Sequence, residues 1–300
     1  MSGRAFLPAL AAGVAGLGVV LTAAQPASTP DLTETLQRAG DRVQYYFARA
    51  QSLVCTETVA LQPLSLGFSP NGRPRTVESE LRLSWDPEAE TDTPLEASTV
   101  RHVVKVNGHP PRDDDFNSCT TPEQQATETQ PLSMLLPQRR DEYEFRLSGR
   151  AREDGRAALL VDYRMKARPT VEVALVDGKD DCISYDIQGG MRGRLWIDAE
   201  SYEVLRLDRG LAGQVDFRLP WRAARHAPER ALWTVERLDT SIRFKAVRFS
   251  DPDETLILPV SSLGLQVTRG AGTPRLRTTT HYTDYRRFLT AGRVVPPASE

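Results

Sequence analysis

The strongest constraint on the fold is an alternation of apolar and polar side chains that recurs along most of the chain. In the segment TVESELRLSWD, Val77, Leu81 and Trp85 alternate with charged or polar neighbours. Successive side chains of a strand point to opposite faces of a sheet, so this pattern is typical of a strand with one buried face. Turn sequences such as NGRPR, NGHPP, EDGR and DAES separate further segments of the same kind. The sequence therefore predicts an antiparallel meander of short strands.

One apolar face of this predicted sheet supplies the candidates for a binding site. A sheet with a single apolar face can leave part of that face uncovered, and such surfaces often bind ligands. The large apolar side chains that we expect to line it are Leu81, Leu83, Trp85, Val104, Val106, Phe217, Ile242 and Phe244.

An amphipathic helix precedes the strands. Pro30 and Asp31 suit the first turn of a helix, and apolar residues then recur every three or four positions from Leu32 to Val54. The recurrence forms one apolar stripe, and a helix of this kind needs a broad apolar surface to lie on. The sheet offers that surface.

The stretch GRLWIDAESYEVLRLD is interpreted as a hairpin rather than a catalytic centre. Residues 195–197 and 202–207 are predicted strands, and residues 198–201 form the polar turn between them. The charged side chains nearby, such as Arg194, Arg206 and Asp208, are then solvated or cross-strand charges. Gly189, Gly190 and Gly193 precede the first strand and predict a sharp bend or bulge.

The N-terminal residues 1–24 have the pattern of a secretory signal peptide. Arg4 is followed by an uncharged apolar run that ends in small residues, and we expect cleavage after Ala24. Residues 25–300 are expected to form a single β-rich domain with long loops near 86–98 and 110–131. The mature protein is thus expected in the periplasm or outside the cell.

The composition and motifs exclude several classes of function. Basic and acidic residues are interspersed, with 38 Lys and Arg against 40 Asp and Glu, which argues against a nucleic-acid surface. The sequence contains no G-x-S-x-G, no phosphate-binding G-x-x-x-x-G-K, no H-E-x-x-H and no C-x-x-C. We therefore predict no catalytic residue, no cofactor and no metal site.

Cys55, Cys119 and Cys182 are the three cysteines of the chain. In an exported protein, two of three cysteines are expected to form one disulfide. The polar loop around Cys119 favours its pairing with Cys55, and pairing with Cys182 stays open. The remaining thiol is expected to be a small buried apolar group.

A resemblance to known families rests on the leading helix, the meander and three segments: GRLWIDAESYEVLRLD, ETLILPVSS and HYTDYRRF. The chain resembles the periplasmic lipoprotein-carrier and lipoprotein-receptor families of Gram-negative bacteria (LolA/LolB-like), and also an uncharacterised group of exported bacterial proteins. The resemblance implies a strongly curved, incomplete barrel whose concave face packs against the helix and holds an acyl chain or a lipid anchor. The chain is longer than those carriers, with the excess near residues 86–131.

Three functional hypotheses follow. The first is a non-enzymatic envelope protein that binds a lipid, a lipidated protein or another apolar ligand, with membrane contact only through the signal peptide or transient ligand transfer. The second is a structural or protein-interaction module whose contact region is the loop-rich segment 86–131. The third is an envelope hydrolase, which requires His102, His109 or His281 to converge with a carboxylate. The oligomeric state is left open.

Overall fold

The computed structural model describes residues 31–49, 53–85, 97–116, 132–176, 179–220, 232–250, 253–271 and 273–287. Within these ranges the chain forms an 11-stranded sheet, a separate two-stranded sheet and a long N-terminal helix. None of the helices in the described ranges has the length and apolar character needed to cross a membrane.

The elements follow one another along the chain in a simple order. They are α1 (Leu32–Arg49), β1 (Leu53–Pro63), β2 (Arg75–Trp85), β3 (Ala97–Val106), α2 (Pro137–Arg140), β4 (Tyr143–Glu153), β5 (Arg156–Met165), β6 (Thr170–Val176), β7 (Lys179–Gln188), β8 (Met191–Asp198), β9 (Val204–Leu211), β10 (Val215–Arg218), β11 (Leu232–Ser250), β12 (Asp253–Arg269) and β13 (Arg275–Arg287). Short 3-10 turns cover Asp113–Phe116 and Ser133–Leu135.

The large sheet is antiparallel and open. Its strand order is β3-β2-β1-β13-β12-β11-β9-β8-β5-β4, and β10 pairs with β11. The first and last strands meet within the sheet, where β1 pairs with β13. The outermost strands, β3 and β4, are not hydrogen-bonded to each other, so the sheet does not close. The predicted fold class is confirmed: a mainly β chain with a curved antiparallel sheet, an incomplete barrel and an N-terminal helix.

Helix α1 begins at Leu32, so Asp31, which the sequence places in the first turn, directly precedes the helix. The Asp31 carboxylate accepts a hydrogen bond from the main-chain N–H of Glu34 at 3.1 Å, which caps the first turn. The helix ends at Arg49, earlier than predicted, because Val54 already pairs with Arg82 and Arg286 as part of β1. The apolar spacing alone did not show where the helix gives way to the strand, since Val54 fits both patterns.

Helix α1 packs its apolar stripe on one face of the sheet. Leu36, Ala39, Val43 and Phe47 are buried in one cluster with side chains from the strands. Segment 132–136 joins this cluster and approaches α1 closely: a Cβ atom on Gly40 would lie 2.6 Å from the Leu135 carbonyl oxygen. The strand residues of this α1 cluster are Leu53, Val161, Tyr163, Leu195, Ile197, Val204, Leu207, Ile242, Phe244, Phe249, Leu256 and Leu258.

The β6–β7 hairpin forms a second cluster with β10 and neighbouring strands. This hairpin cluster contains Ile187, Leu211, Val215, Phe217 and Val235. The Tyr185 hydroxyl of β7 lies 2.8 Å from the Thr268 hydroxyl of β12 and accepts a hydrogen bond from the Gln266 amide at 2.6 Å. The hairpin is therefore fixed to the sheet by aromatic packing and by polar contacts.

The predicted β8–β9 hairpin is confirmed. Asp198 closes its turn by accepting hydrogen bonds from the main-chain N–H groups of Glu200 at 3.0 Å and Ser201 at 2.7 Å. Burial raises the pKa of this carboxyl, but the two backbone hydrogen bonds, the charge of Arg156 and the Ser201 hydroxyl together outweigh burial, and the net shift of the Asp198 pKa is downward. The charges in this stretch thus serve the turn and cross-strand pairs, as expected.

Candidate functional site

The candidate site lies on the helix-facing side of β1, β2 and β3, which we call the β1–β3 face. Leu53 of β1 belongs to the α1 cluster, and Cys55, Glu57 and Leu61 follow it on the same side of the strand. The same side of the sheet extends to β2 and β3, because register partners point to the same side: Val59 pairs with Val77, and Val77 pairs with Val106. Leu61, Val77, Leu81 and Val106 are all 5% exposed or less.

A buried ion pair lies among these apolar side chains. The Arg101 guanidinium donates from Nε to Glu57 Oε2 at 2.6 Å and from Nη2 to Oε1 at 3.3 Å. The two side chains are only 7% and 1% exposed. Arg101 lies on β3 and Glu57 on β1, so the pair spans β2, where the small Ser79 is opposite Glu57. The pair therefore ties the edge strand of the sheet to its centre.

The thiol of Cys55 lies beside this pair, in surroundings that favour its protonated form. Burial, and secondarily the charge of Glu57, raise the pKa of Cys55 to about 12. Burial also raises the pKa of Tyr46 on α1 and of Tyr285 on β13, and each of these groups interacts electrostatically with Cys55. The surroundings thus favour neutral groups. Glu57 and Arg101 are charged here because each compensates the charge of the other.

The structure bears directly on one of the predicted disulfide pairings. Cys55 is a free thiol and packs with Leu81 and Tyr282. The expected pairing with Cys119 is not formed, because the Cys55 side chain points into this cluster. Cys119 and the side chain of Cys182 lie outside the described residues, so their pairing stays a prediction.

The predicted lining residues fall into separate parts of the fold. Ile242 and Phe244 lie in the α1 cluster, and Phe217 lies in the hairpin cluster. Leu81 and Val106 lie on the β1–β3 face. Leu83 and Trp85 belong to β2, but their side chains are outside the described residues. Of the eight candidates, Leu81 and Val106 are thus the two that the described side chains bring to one site.

Val104 does not share a face with Val106, and the prediction that it does is wrong. Its side chain is 41% exposed, whereas Val106 is 1% exposed. The pairing of β2 with β3 shifts at this point: Glu78 pairs with Lys105 and the next residue, Ser79, pairs with Val103. Val104 is the extra residue of this β-bulge, and an extra residue reverses which side chains point inward.

Sequence reasoning missed the polar part of the site. Glu57 alternates with Cys55 and Leu61 in VCTETVALQ, so period two alone places it on the buried side. Arg101 gave no such signal, since the bulge after it breaks the alternation of β3. Among the described residues, no group of three or more His, Cys, Asp or Glu side chains could hold a metal ion.

Comparisons with known proteins give only distant similarities. No family model and no curated protein matches the chain. A putative outer membrane lipoprotein-sorting protein domain from Vibrio parahaemolyticus is 11% identical, with a TM-score of 0.40 over 87% of this chain and 94% of that one. A DUF1329 family protein from Desulfovibrio piger is 10% identical, with a TM-score of 0.40 over 87% and 95%.

A LolA superfamily protein from Nitrosomonas europaea is 8% identical, with a TM-score of 0.31 over 85% of this chain and 93% of that one. The likeness to these three proteins concerns the fold. Since the TM-scores are 0.40 or lower, no statement on the role of this chain rests on them.

Proposed function

We propose that the protein is a non-enzymatic binding protein of the bacterial envelope, and that the β1–β3 face holds the apolar part of a lipid or a lipidated protein. The observation that carries this proposal is the apolar patch of Leu61, Val77 and Val106. These side chains lie on the helix-facing side of the sheet but belong to neither the α1 cluster nor the hairpin cluster. The sheet thus has an apolar area beyond the one that α1 packs on, and because its side chains are 5% exposed or less, a ligand reaches it by displacing the parts of the chain that cover it.

The chemistry of this face suits an amphiphile. Apolar contact stabilises an acyl chain by about 0.8 kcal/mol for each buried CH₂ group. Val59, Val77 and Val106 are register partners and form one row of side chains across β1, β2 and β3. Glu57 lies two residues from Val59 along β1, so its ion pair with Arg101 lies next to the apolar patch. A ligand with an apolar chain and a polar end matches an apolar patch that lies beside an ion pair.

The proposal is tested with a matched pair of variants on β3. Val106→Asn places a polar group on the β1–β3 face, whereas Val104→Asn makes the same change on the exposed side, two residues away. Titration with a fluorescent long-chain fatty acid should show binding about tenfold weaker for Val106→Asn or lost, and unchanged for Val104→Asn. Far-UV circular dichroism checks that both variants fold.

If Val106→Asn fails to fold, Val77→Thr gives the same test with a side chain of almost unchanged shape. Wild-type protein that does not bind the fatty acid, or variants that bind it equally well, would contradict the proposal.

A partner protein is a second candidate ligand, favoured by the exposed side of edge strand β3. Val100 and Val104 are 59% and 41% exposed there. Exposed apolar side chains on an unpaired edge favour strand addition by another chain. A Val100→Lys/Val104→Lys variant should lose such a partner in a pull-down while keeping the fatty acid, which separates the two functions.

A further inference from the structure

A groove of about 800 Å³ runs along the face of the sheet that is opposite to α1. Its walls come from β5, β8, β9, β11 and β12. The groove side chains of β5 and β8 alternate with Tyr163 and Leu195, which point into the α1 cluster. We call this surface the outer groove, and its charged lining residues are Asp162, Arg164, Arg192, Arg194, Asp208, Arg209, Arg237 and Asp239.

The carboxylates of the outer groove are already neutralised by other arginines. Asp162 accepts a hydrogen bond from Arg194 at 2.6 Å and another from Arg146 at 3.1 Å. Asp208 pairs with Arg206 at 2.7 Å. Asp239 pairs with Arg237. These acids therefore do not offset the charge of Arg164 and Arg192. Arg209, the other arginine of the lining, is half-buried and already interacts within the protein.

Arg164 and Arg192 face each other directly across β5 and β8. Both are exposed, and within the described residues neither forms an ion pair or a side-chain hydrogen bond. Glu144 lies opposite Arg164 on β4 but makes no ion pair with it in the described part of the chain. Like charges directly opposite each other destabilise a sheet. Two arginines in this position, neither of them in an ion pair with the described residues, point to an anionic ligand.

We propose that Arg164 and Arg192 bind a phosphate group in the outer groove. Each guanidinium presents a fork of N–H donors that matches phosphate oxygens, and two forks suit a dianion better than a single carboxylate. The groove is larger than a phosphate ion, so the rest of the ligand lies along it towards Trp196, whose ring stacks on the Arg206 guanidinium at 4.5 Å. This site is on the other face of the sheet from the β1–β3 face and does not depend on it.

The test compares two double variants that lose the same charge. Arg164→Gln/Arg192→Gln removes the site, and Arg82→Gln/Arg286→Gln removes two arginines from β2 and β13 that lie outside the groove lining. Glycerol phosphate is titrated by calorimetry at low ionic strength, and phosphatidylglycerol and phosphatidylcholine vesicles are tested by co-sedimentation. Glu144→Gln is included because loss of a nearby negative charge should strengthen binding.

We expect saturable binding that weakens at least about tenfold in Arg164→Gln/Arg192→Gln and stays within about twofold in the control. Binding of glycerol phosphate supports a soluble phosphate ester, and binding of phosphatidylglycerol vesicles alone supports a lipid headgroup. The proposal is overturned if neither source binds, or if both double variants lose binding equally, since overall charge would then explain it.

Discussion

The Tyr163 side chain of β5 lies over Gly193, its register partner on β8. Its hydroxyl donates a hydrogen bond to the main-chain oxygen of Asp208 on β9 at 3.3 Å, so the side chain crosses β8. A Cβ atom on Gly193 would lie 2.7 Å from that hydroxyl oxygen and would overlap the Asp208 carbonyl oxygen. The absence of a side chain at Gly193 therefore allows Tyr163, a member of the α1 cluster, to reach the strand that lines the outer groove.

Gly193→Ala is predicted to destabilise the protein. The added methyl group must displace Tyr163 and the β9 backbone, and overpacking of this kind typically costs ~1–3 kcal/mol. Gly213→Ala is the control, because nothing lies within 4 Å of a Cβ atom there, and it should change stability by less than ~0.5 kcal/mol. The free energy of unfolding in urea measures both, and equal values for the two variants would refute this role of Gly193.

Arg101→Met is predicted to destabilise the protein by ~3–5 kcal/mol, because it removes the cation of the ion pair from beside the buried Glu57 carboxylate. The same change in a Glu57→Leu background should cost much less, since no buried charge is left. A double-mutant cycle on guanidinium unfolding midpoints measures this coupling. Strictly additive effects would show that the two side chains do not stabilise each other.

Stability is predicted to fall at alkaline pH in part because of Cys55. Its pKa is raised from 9.0 to about 12, so the folded protein keeps the thiol proton after the unfolded chain has lost it. The unfolded state then binds fewer protons, and the free energy of unfolding decreases as pH rises through this window. The stability difference between wild type and Cys55→Ala should therefore shrink from pH 9 to pH 11. A constant difference in urea unfolding would contradict the raised pKa.

Arg192→Gln is predicted to stabilise the ligand-free protein. It removes the repulsion with Arg164, and cross-strand charge pairs contribute roughly 0.2–1 kcal/mol. The gain should shrink as salt is added, since both side chains are exposed. Arg194→Gln, two residues along β8, should have the opposite sign because it breaks the ion pair with Asp162. Thermal unfolding at low and high salt measures both, and a destabilising Arg192→Gln would be inconsistent with an unpaired arginine.

The local features of the fold could be predicted from the sequence. Period-two alternation identified strands such as β2, and DAES identified the turn that Asp198 closes. Gly189 and Gly190 have positive φ angles of 77° and 64°, which agrees with the predicted bend. The sequence assigns Gly193 to the same bend, but the structure requires glycine at this position for another reason, because the Tyr163 side chain packs over it.

The non-local features could not be predicted. The pairing of Val59 with Thr280 joins the first strand to the last, and no local pattern specifies such a partner. The ion pair of Glu57 and Arg101 depends on a bulge beyond Arg101, and bulges leave little trace in the sequence. A single bulge was therefore enough to place Val104 on the wrong face and to hide the partner of Glu57.

The central claim, that the protein holds an apolar ligand, is tested most directly by mass spectrometry. The full chain is expressed in a Gram-negative host, purified from the periplasm and compared under native and denaturing conditions. We predict extra mass that is lost on denaturation, extracts into organic solvent, and is reduced in Val106→Asn but not in Val104→Asn. A native mass equal to the denatured mass for wild type, with no lipid in the extract, would contradict the account.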